Sequence, residues 1–289
     1  VLARNQRGHD VQATRDAFRL LRLAGFKIHG HWMANLLGAT PESDAADYAR
    51  LWDDPAIRPD ELKLYPCMLL PNAELYDFWL RGEYVPYSEE ELINLLACCK
   101  AQTPRYVRLT RIVRDFPTTN VVAGNKKANL RELAQQRLRE QNRPCRCIRC
   151  REIRRDSLPP DAFTLRDLPY TTDATTEHFL SYETDDDRLA AFLRLSLPHP
   201  GIVHPFPELA GSAMIREVHV YGPALNPGED SQGEAQHTGL GTRLIERAKE
   251  IARDAGFARL TVISAVGTRE YYRRLGFSPD GLYMTSPLN

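Results

Sequence analysis

Long apolar runs are missing from this 289-residue chain: nothing approaches the ~20 consecutive residues a membrane span needs, and no signal-peptide pattern is visible. A cytoplasmic protein with no membrane partner is therefore expected. Cysteine is scarce, six in all; two are adjacent and three crowd into six positions. That distribution excludes the evenly spread disulfide framework of a small secreted domain and points to reduced thiols, some binding metal. Net charge is absent too, at a formal value of zero, but the average conceals a block. Between Ala101 and Arg155 stand fifteen Lys or Arg against four Asp or Glu, a net of +11 that the remainder offsets. Such a block suits a polyanion partner, and the competing explanation is a solvated face paired with acidic segments elsewhere. Internal repeats are lacking, and the length suffices for two domains with separate cores.

The first part of the chain reads as α/β. Val11–Ala24 carries an apolar helical stripe closed by Gly25, and a short strand is expected over Phe26–His31. A helix near Asp44–Trp52 precedes a strand in "ELKLYPCMLL", which suggests parallel pairing of the kind found in barrels. Glu89–Lys100 follows a Ser cap with acids in its first turn, and Leu130–Glu140 is a further helix. At Pro144 the texture changes to "PCRCIRCREIRRDSLPPD", without helical or strand period, and the domain boundary is placed there. Three strand-like runs follow, "AFTLRDLPY", "TEHFLSYET" and "RLAAFLRLSLP", in the pattern of an antiparallel meander, and "SAMIREVHVYG" is a fourth strand.

The clearest motif is "QHTGLGTRL", between that strand and an amphipathic helix marked by Leu240, Leu244, Ala248, Ile251 and Ala255. Glycines at 239 and 241 remove side chains where backbone must approach a phosphate, and the first-turn N–H groups favour a pyrophosphate. A glycine pair before a helix is often only packing or a turn. Here "ARLTVISAVG" follows as a buried strand and "TREYYRRLGF" as a short helix ending at Gly276. This order resembles the GNAT acetyltransferase superfamily, matched at Gln236, Gly239, Gly241, Tyr272, Gly276 and Phe277.

The resemblance implies acetyl-CoA held at Gln236, His237, Thr238, Gly239, Leu240, Gly241 and Thr242. It also implies a backbone N–H near Val218 to Val220 that polarises the thioester carbonyl, and a tyrosine acid, protonated at neutral pH with an ordinary pKa of about 10. Tyr272 fits the family spacing and Tyr271 competes with it. Glu217 and His219 are candidate bases, although alternation puts both on one face, where a salt bridge explains them equally well.

Cys145, Cys147 and Cys150 in "PCRCIRC" suit a tetrahedral soft metal, zinc first, with a fourth ligand among Cys67, Cys98, Cys99 or a histidine. Arg105, Arg108, Arg111 and Arg114 recur every three residues, a spacing that no simple strand face produces, while Lys126, Lys127 and Arg131 surround a helix start. With Tyr106 as a stacking aromatic, these cations suit RNA.

Long ordered segments go beyond a generic GNAT domain. "NQRGHDV", "MANLLGATPESD", "KLYPCMLL", "YDFWLRGEYVPYSEEEL", "RIVRDFP", "VAGNKKANLREL", "REVHVYGPA", "QHTGLGT" and "VISAVGTREYYRRLGF" resemble the Elongator catalytic-subunit family, which modifies the wobble uridine of tRNA. The resemblance implies part of a radical-SAM barrel with the basic tRNA-binding segment over 1–143, a Cys-rich zinc linker over 144–156 and a GNAT-like domain over 157–289. It further implies tRNA, bound through its anticodon stem-loop, as substrate, and acetyl-CoA as donor of the two-carbon unit that becomes a carboxymethyl group. A homodimer or Elongator-like subunits are the implied partners. Lys63 and Asn35 are implied near the radical-site cleft. S-adenosylmethionine and a [4Fe-4S] cluster are expected only in the complete enzyme, because no Cys-x-x-x-Cys-x-x-Cys pattern occurs here, and this chain alone is not expected to perform the radical step. Two other readings compete: a protein lysine acetyltransferase of the histone type on the same fold, and a non-catalytic module that binds tRNA or acetyl-CoA.

Overall fold

The computed structural model describes residues 1–113, 117–153, 158–221 and 238–288. They form two compact units: Val1–Asp16 with Ile28–Cys150, and Ala17–Lys27 with Arg151–Asn289. The units change over at Cys150 and Arg151, inside the linker expected from sequence.

Helix α1, Val11–Leu23, starts in the first unit, where Asp10 accepts the Ala13 N–H at 2.8 Å, and ends in the second. Gly25, at φ +84°, closes it: Phe26 N–H bonds Leu21 O and Gly25 N–H bonds Arg22 O, both at 3.0 Å. This closure carries the chain beyond Phe26 and Lys27 before strand pairing begins, so β1 spans His29–Ala34 rather than the expected Phe26–His31.

In the first unit β1, β2 (Glu61–Pro66) and β3 (Arg108–Arg111) form a parallel sheet in that order. One face carries buried Trp32, Ala34, Leu62, Leu64 and Leu109, while His29, His31 and Lys63 lie at alternate positions of the other. Helices α2 (Pro41–Asp53), α3 (Leu75–Leu80), α4 (Glu89–Gln102) and α5 (Leu130–Glu140) complete the unit, and α6 (Ile148–Arg151) is a single turn at its end. Thr40 and Ser88 form capping boxes with Ser43 and Glu91, which fixes where α2 and α4 begin.

The three-residue arginine spacing is compatible with a strand after all. Glu61 pairs with Arg108, Leu62 with Leu109 and Lys63 with Arg111, a register shift that passes over Thr110. Glu61 and Lys63 share a face of β2, so the shift sets Arg108 and Arg111 opposite residues of one face.

The second unit is a seven-stranded sheet in the order β4-β5-β6-β7-β8-β10-β9. Its strands are β4 (Thr164–Thr171), β5 (Thr175–Glu183), β6 (Leu189–Pro198), β7 (Ser212–Val220), β8 (Arg259–Val262), β9 (Ser278–Asp280) and β10 (Tyr283–Pro287). The antiparallel meander runs through β7, which then pairs with β8 in parallel. Helix α7, Thr238–Asp254, lies between these two strands in sequence, and α8 (Arg269–Arg274) follows β8. Leu240, Leu244, Ile245, Ala248 and Ile251 of α7 bury against Leu193, Leu195, Ile215, Leu260 and Val262. Each fully buried leucine there contributes about 1.5–3 kcal/mol.

The opposite face of this sheet holds a buried ion cluster. Glu177 Oε2 accepts from Arg216 Nη2 at 2.7 Å and Nε at 3.0 Å, and Arg22 Nη1 stands 3.9 Å away. Thr175 and Ser196 hydroxyls donate to the other carboxylate oxygen at 2.7 and 2.6 Å, so the buried charge is satisfied on both sides.

Candidate functional site: a splayed strand pair and a three-thiol cluster

The parallel pairing of β7 with β8 is short. It runs from Ser212 opposite Arg259 to Ile215 opposite Val262, where β8 ends, while β7 continues to Val220. Beyond Ile215 the β6–β7 register also shifts, with Leu195 facing Ile215 but Arg194 facing Glu217, leaving Arg216 as the extra residue. Tyr221 N–H donates to Ala190 O of β6 at 2.8 Å. Antiparallel alternation then turns the amides of Val218 and Val220 to the opposite edge, where no described strand is registered against them. Two donors therefore line an opened edge, as oxyanion stabilisation requires.

The start of α7 lies at this opening. Gly239 is exposed, and a side chain there would meet nothing within 4 Å. Gly241 is different: a Cβ would meet Tyr271 Oη at 2.9 Å and Val220 Cγ2 at 3.4 Å. The second glycine thus admits the tyrosine hydroxyl and the end of β7 to the first turn of α7, whose initial N–H groups have no intrahelical acceptor. Gln236 and His237 lie outside the described residues.

The two tyrosines of α8 are placed differently. Tyr272 is 7 % exposed, packed edge-on to Phe277 at 5.5 Å within the core, and burial pushes its pKa up to about 12. Tyr271 is 37 % exposed, and its hydroxyl shares a hydrogen bond with the Thr242 side chain. Burial raises its pKa and the Thr242 contact opposes that rise. Family spacing favours Tyr272; the hydroxyl at the opening belongs to Tyr271. Glu217 accepts from Arg194 Nε at 2.9 Å and pairs with Lys27 Nζ at 3.3 Å, while the His219 ring stacks on Phe192 at 5.7 Å. The salt bridge that alternation suggested for Glu217 is present.

In the first unit Cys145, Cys147 and Cys150 bring their sulfurs within 4.8 Å of one another. Ile148 N–H on Val107 O at 2.9 Å and Arg149 Nη1 on Thr110 O at 2.6 Å fix the α6 turn, which sets Cys147 and Cys150 three apart on one side. Hydrogen bonds from Cys145 and Cys150 hold the Cys147 thiol well below its ordinary pKa, and the bond to Cys147 pushes Cys145 up in turn. Three convergent soft donors fit a zinc-type ion. Among the described residues no fourth Cys, His, Asp or Glu joins the cluster, Cys67, Cys98 and Cys99 included. Lys100 does approach, its Nζ 3.8 Å from Cys150 Sγ. Sequence reading gives Lys100 no role, although spacings of four from Leu96 and seven from Ile93 put it on the apolar stripe of α4.

The expected cations divide. Lys126, Lys127 and Arg111 are exposed, with Lys127 Nζ 2.6 Å from Glu89; Arg105 and Arg108 are half-buried. Arg131 turns inward to donate to Leu109 O at 2.9 Å, and desolvation lowers its pKa. Tyr106 is buried, which removes it as a stacking platform, and Arg114 lies outside the described residues. Lys63 stands opposite His31 and Arg111 in the parallel sheet. Asn35 follows the carboxyl end of β1 at φ 62°; its N–H bonds the Asp44 carboxylate at 2.7 Å and its C=O accepts from Tyr84 Oη at 3.0 Å.

Comparison with known proteins accords with both units. Residues 59–140 match the Radical_SAM C-terminal domain, and residues 147–277 match the Acetyltransferase (GNAT) family. A tRNA uridine(34) acetyltransferase of Dehalococcoides mccartyi is 40 % identical over 293 residues, covering 98 % of this chain and 63 % of that protein. Elongator complex protein 3 of Danio rerio is 38 % identical over 289 residues, covering 98 % of this chain and 52 % of its own. The solved archaeal Elp3 of Methanocaldococcus infernus, with an N-terminal deletion, superposes with a TM-score of 0.89 at 36 % identity, covering 99 % of this chain and 69 % of that one. The chain thus spans between half and two thirds of the full-length relatives it matches. By sequence along nearly its whole length, and by fold, it belongs to the family of tRNA uridine(34) acetyltransferases and Elongator complex protein 3.

Proposed function

We propose that the second unit binds acetyl-CoA and cleaves its thioester for modification of a tRNA wobble uridine, the substrate named for the relatives. The observation that carries this reading is Tyr271 Oη at Gly241 and Thr242, beside the edge that β7 leaves open. The first-turn amides at Gly239, Leu240, Gly241 and Thr242 take the pyrophosphate. Val218 or Val220 N–H steadies the carbonyl oxygen as it gains charge. Water adds to the carbonyl carbon and forms the new carbon–oxygen bond; as the carbon–sulfur bond breaks, the electron pair leaves with sulfur, Tyr271 supplies the proton that makes the thiol, and the acetyl group departs as acetate.

Exposed Lys126, Lys127 and Arg111, together with half-buried Arg105 and Arg108, are the proposed contacts to the anticodon stem-loop backbone. Cys145, Cys147 and Cys150 hold zinc in a structural role beside this basic segment. Asn35, just past the carboxyl end of β1 where ligands of parallel α/β sheets gather, and Lys63, on the His31 face of β2, are proposed to approach S-adenosylmethionine in the complete enzyme.

The test is release of free CoA from acetyl-CoA with and without an anticodon stem-loop carrying the wobble uridine. Stimulation by the RNA is expected. Radiolabel from acetyl-CoA appearing on protein lysine, with no response to RNA, would transfer the assignment to a protein acetyltransferase.

A further inference from the structure

Lys100 lies on the apolar face of α4 with 0 % of its surface exposed. Lysine is almost never buried to this degree without a partner, because an ammonium loses its hydration there. Among the described residues the polar atom next to Nζ is Cys150 Sγ, at 3.8 Å. Leu96, Ala97 and Cys99 of the same helix are buried too, and Arg131, bonded to Leu109 O, is a second cation near the three thiols.

A divalent cation bound by three thiolates carries one net negative charge. In a buried site that charge needs a compensating cation, and four thiolates would need two. Cys145 and Cys147 are buried while Cys150 is exposed, so the cluster is open to water on one side. We propose that Lys100 is the fixed counter-charge of the metal site formed by Cys145, Cys147 and Cys150, hydrogen-bonded to the Cys150 thiolate, with a neutral solvent molecule as the fourth ligand. One divalent ion, three thiolates and one ammonium sum to zero, and the Arg131 guanidinium, tied to Leu109 O, adds a further positive charge near the same thiols. Lys100 acts through its neighbours and is a positioning residue, not a ligand. The inference rests on the zinc reading above and adds to it why the site tolerates three protein ligands.

The test compares zinc affinity, by competition with a chromophoric chelator, in the unsubstituted protein, K100M and K100Q. Methionine keeps the length and apolar stem, whereas glutamine keeps N–H donors without the charge. Both variants are expected to bind one equivalent at least tenfold more weakly, and the Co²⁺-loaded unsubstituted protein to show the charge-transfer intensity of three thiolates. Circular dichroism of the zinc-free proteins checks that each variant is folded. Affinities within twofold of the original in both variants, wild-type affinity restored by glutamine alone, or a four-thiolate cobalt spectrum would each overturn the role of Lys100. An unsubstituted protein that takes up no metal overturns the zinc reading itself, and this inference with it.

Discussion

Tyr271 and Gly241 are fitted to each other: the tyrosine oxygen occupies space that any side chain at 241 would enter, 2.9 Å from its Cβ position. The obstructing atom is the far end of a side chain, so G241A should leave the fold intact, within about 1 kcal/mol by chemical denaturation, while displacing the hydroxyl. G239A meets nothing within 4 Å and should be neutral for folding too. Both variants should bind acetyl-CoA at least tenfold more weakly in calorimetric titration, because each puts a methyl group where the ligand approaches backbone. Unchanged affinity in both would place the pyrophosphate elsewhere.

The adjacent tyrosines should separate by phenotype. Y271F is expected to lower RNA-stimulated acetyl-CoA cleavage by about 10²–10⁴ with little change in melting temperature, the range for loss of a general acid. Y272A should instead cost about 3–5 kcal/mol of stability, because it empties a core position against Phe277. The reverse pattern would restore the family-spacing choice.

Acidity gives an independent check. Burial raises the Tyr271 pKa, so its proton stays in place up to and beyond the ordinary value of about 10. A general acid loses activity as pH rises through its pKa. The Tyr271-dependent rate, taken as the difference between the original protein and Y271F, should therefore stay level from neutrality to about pH 9 and fall only above the usual tyrosine range. A falling limb centred below pH 8 would point to another acid.

Glu177 supports the strand that carries the open edge, through Arg216 at the register shift. E177Q removes the negative charge between two buried guanidinium groups and should destabilise the second unit by about 3–5 kcal/mol, read from its unfolding transition. A loss under 1 kcal/mol would mean that the hydroxyls and backbone around Arg216 suffice.

Much of the fold was legible because local signals agreed with tertiary demands. The α5 span follows from its apolar spacing, the α4 start from its Ser88 cap, and the meander from strand-like runs separated by turn-formers and short acidic stretches. β3 was not legible: the shift at Thr110 breaks the period on which strand reading depends. The glycine loop could be found by pattern, yet the choice between Tyr271 and Tyr272 could not. Neighbouring residues of a helix differ by about 100° in direction, and only packing reveals which one faces the core. Lys100 was hidden for the opposite reason, since a lysine next to a helix end reads as surface charge until its burial is seen.

A crystal structure with acetyl-CoA bound tests the central claim most directly. The expected complex has the pyrophosphate at the amides of Gly239 to Thr242, the thioester carbonyl within hydrogen-bond reach of Val218 or Val220 N–H, and Tyr271 Oη beside the sulfur. A ligand seated away from the first turn of α7, or a sulfur facing Tyr272 with Tyr271 turned to solvent, would contradict it.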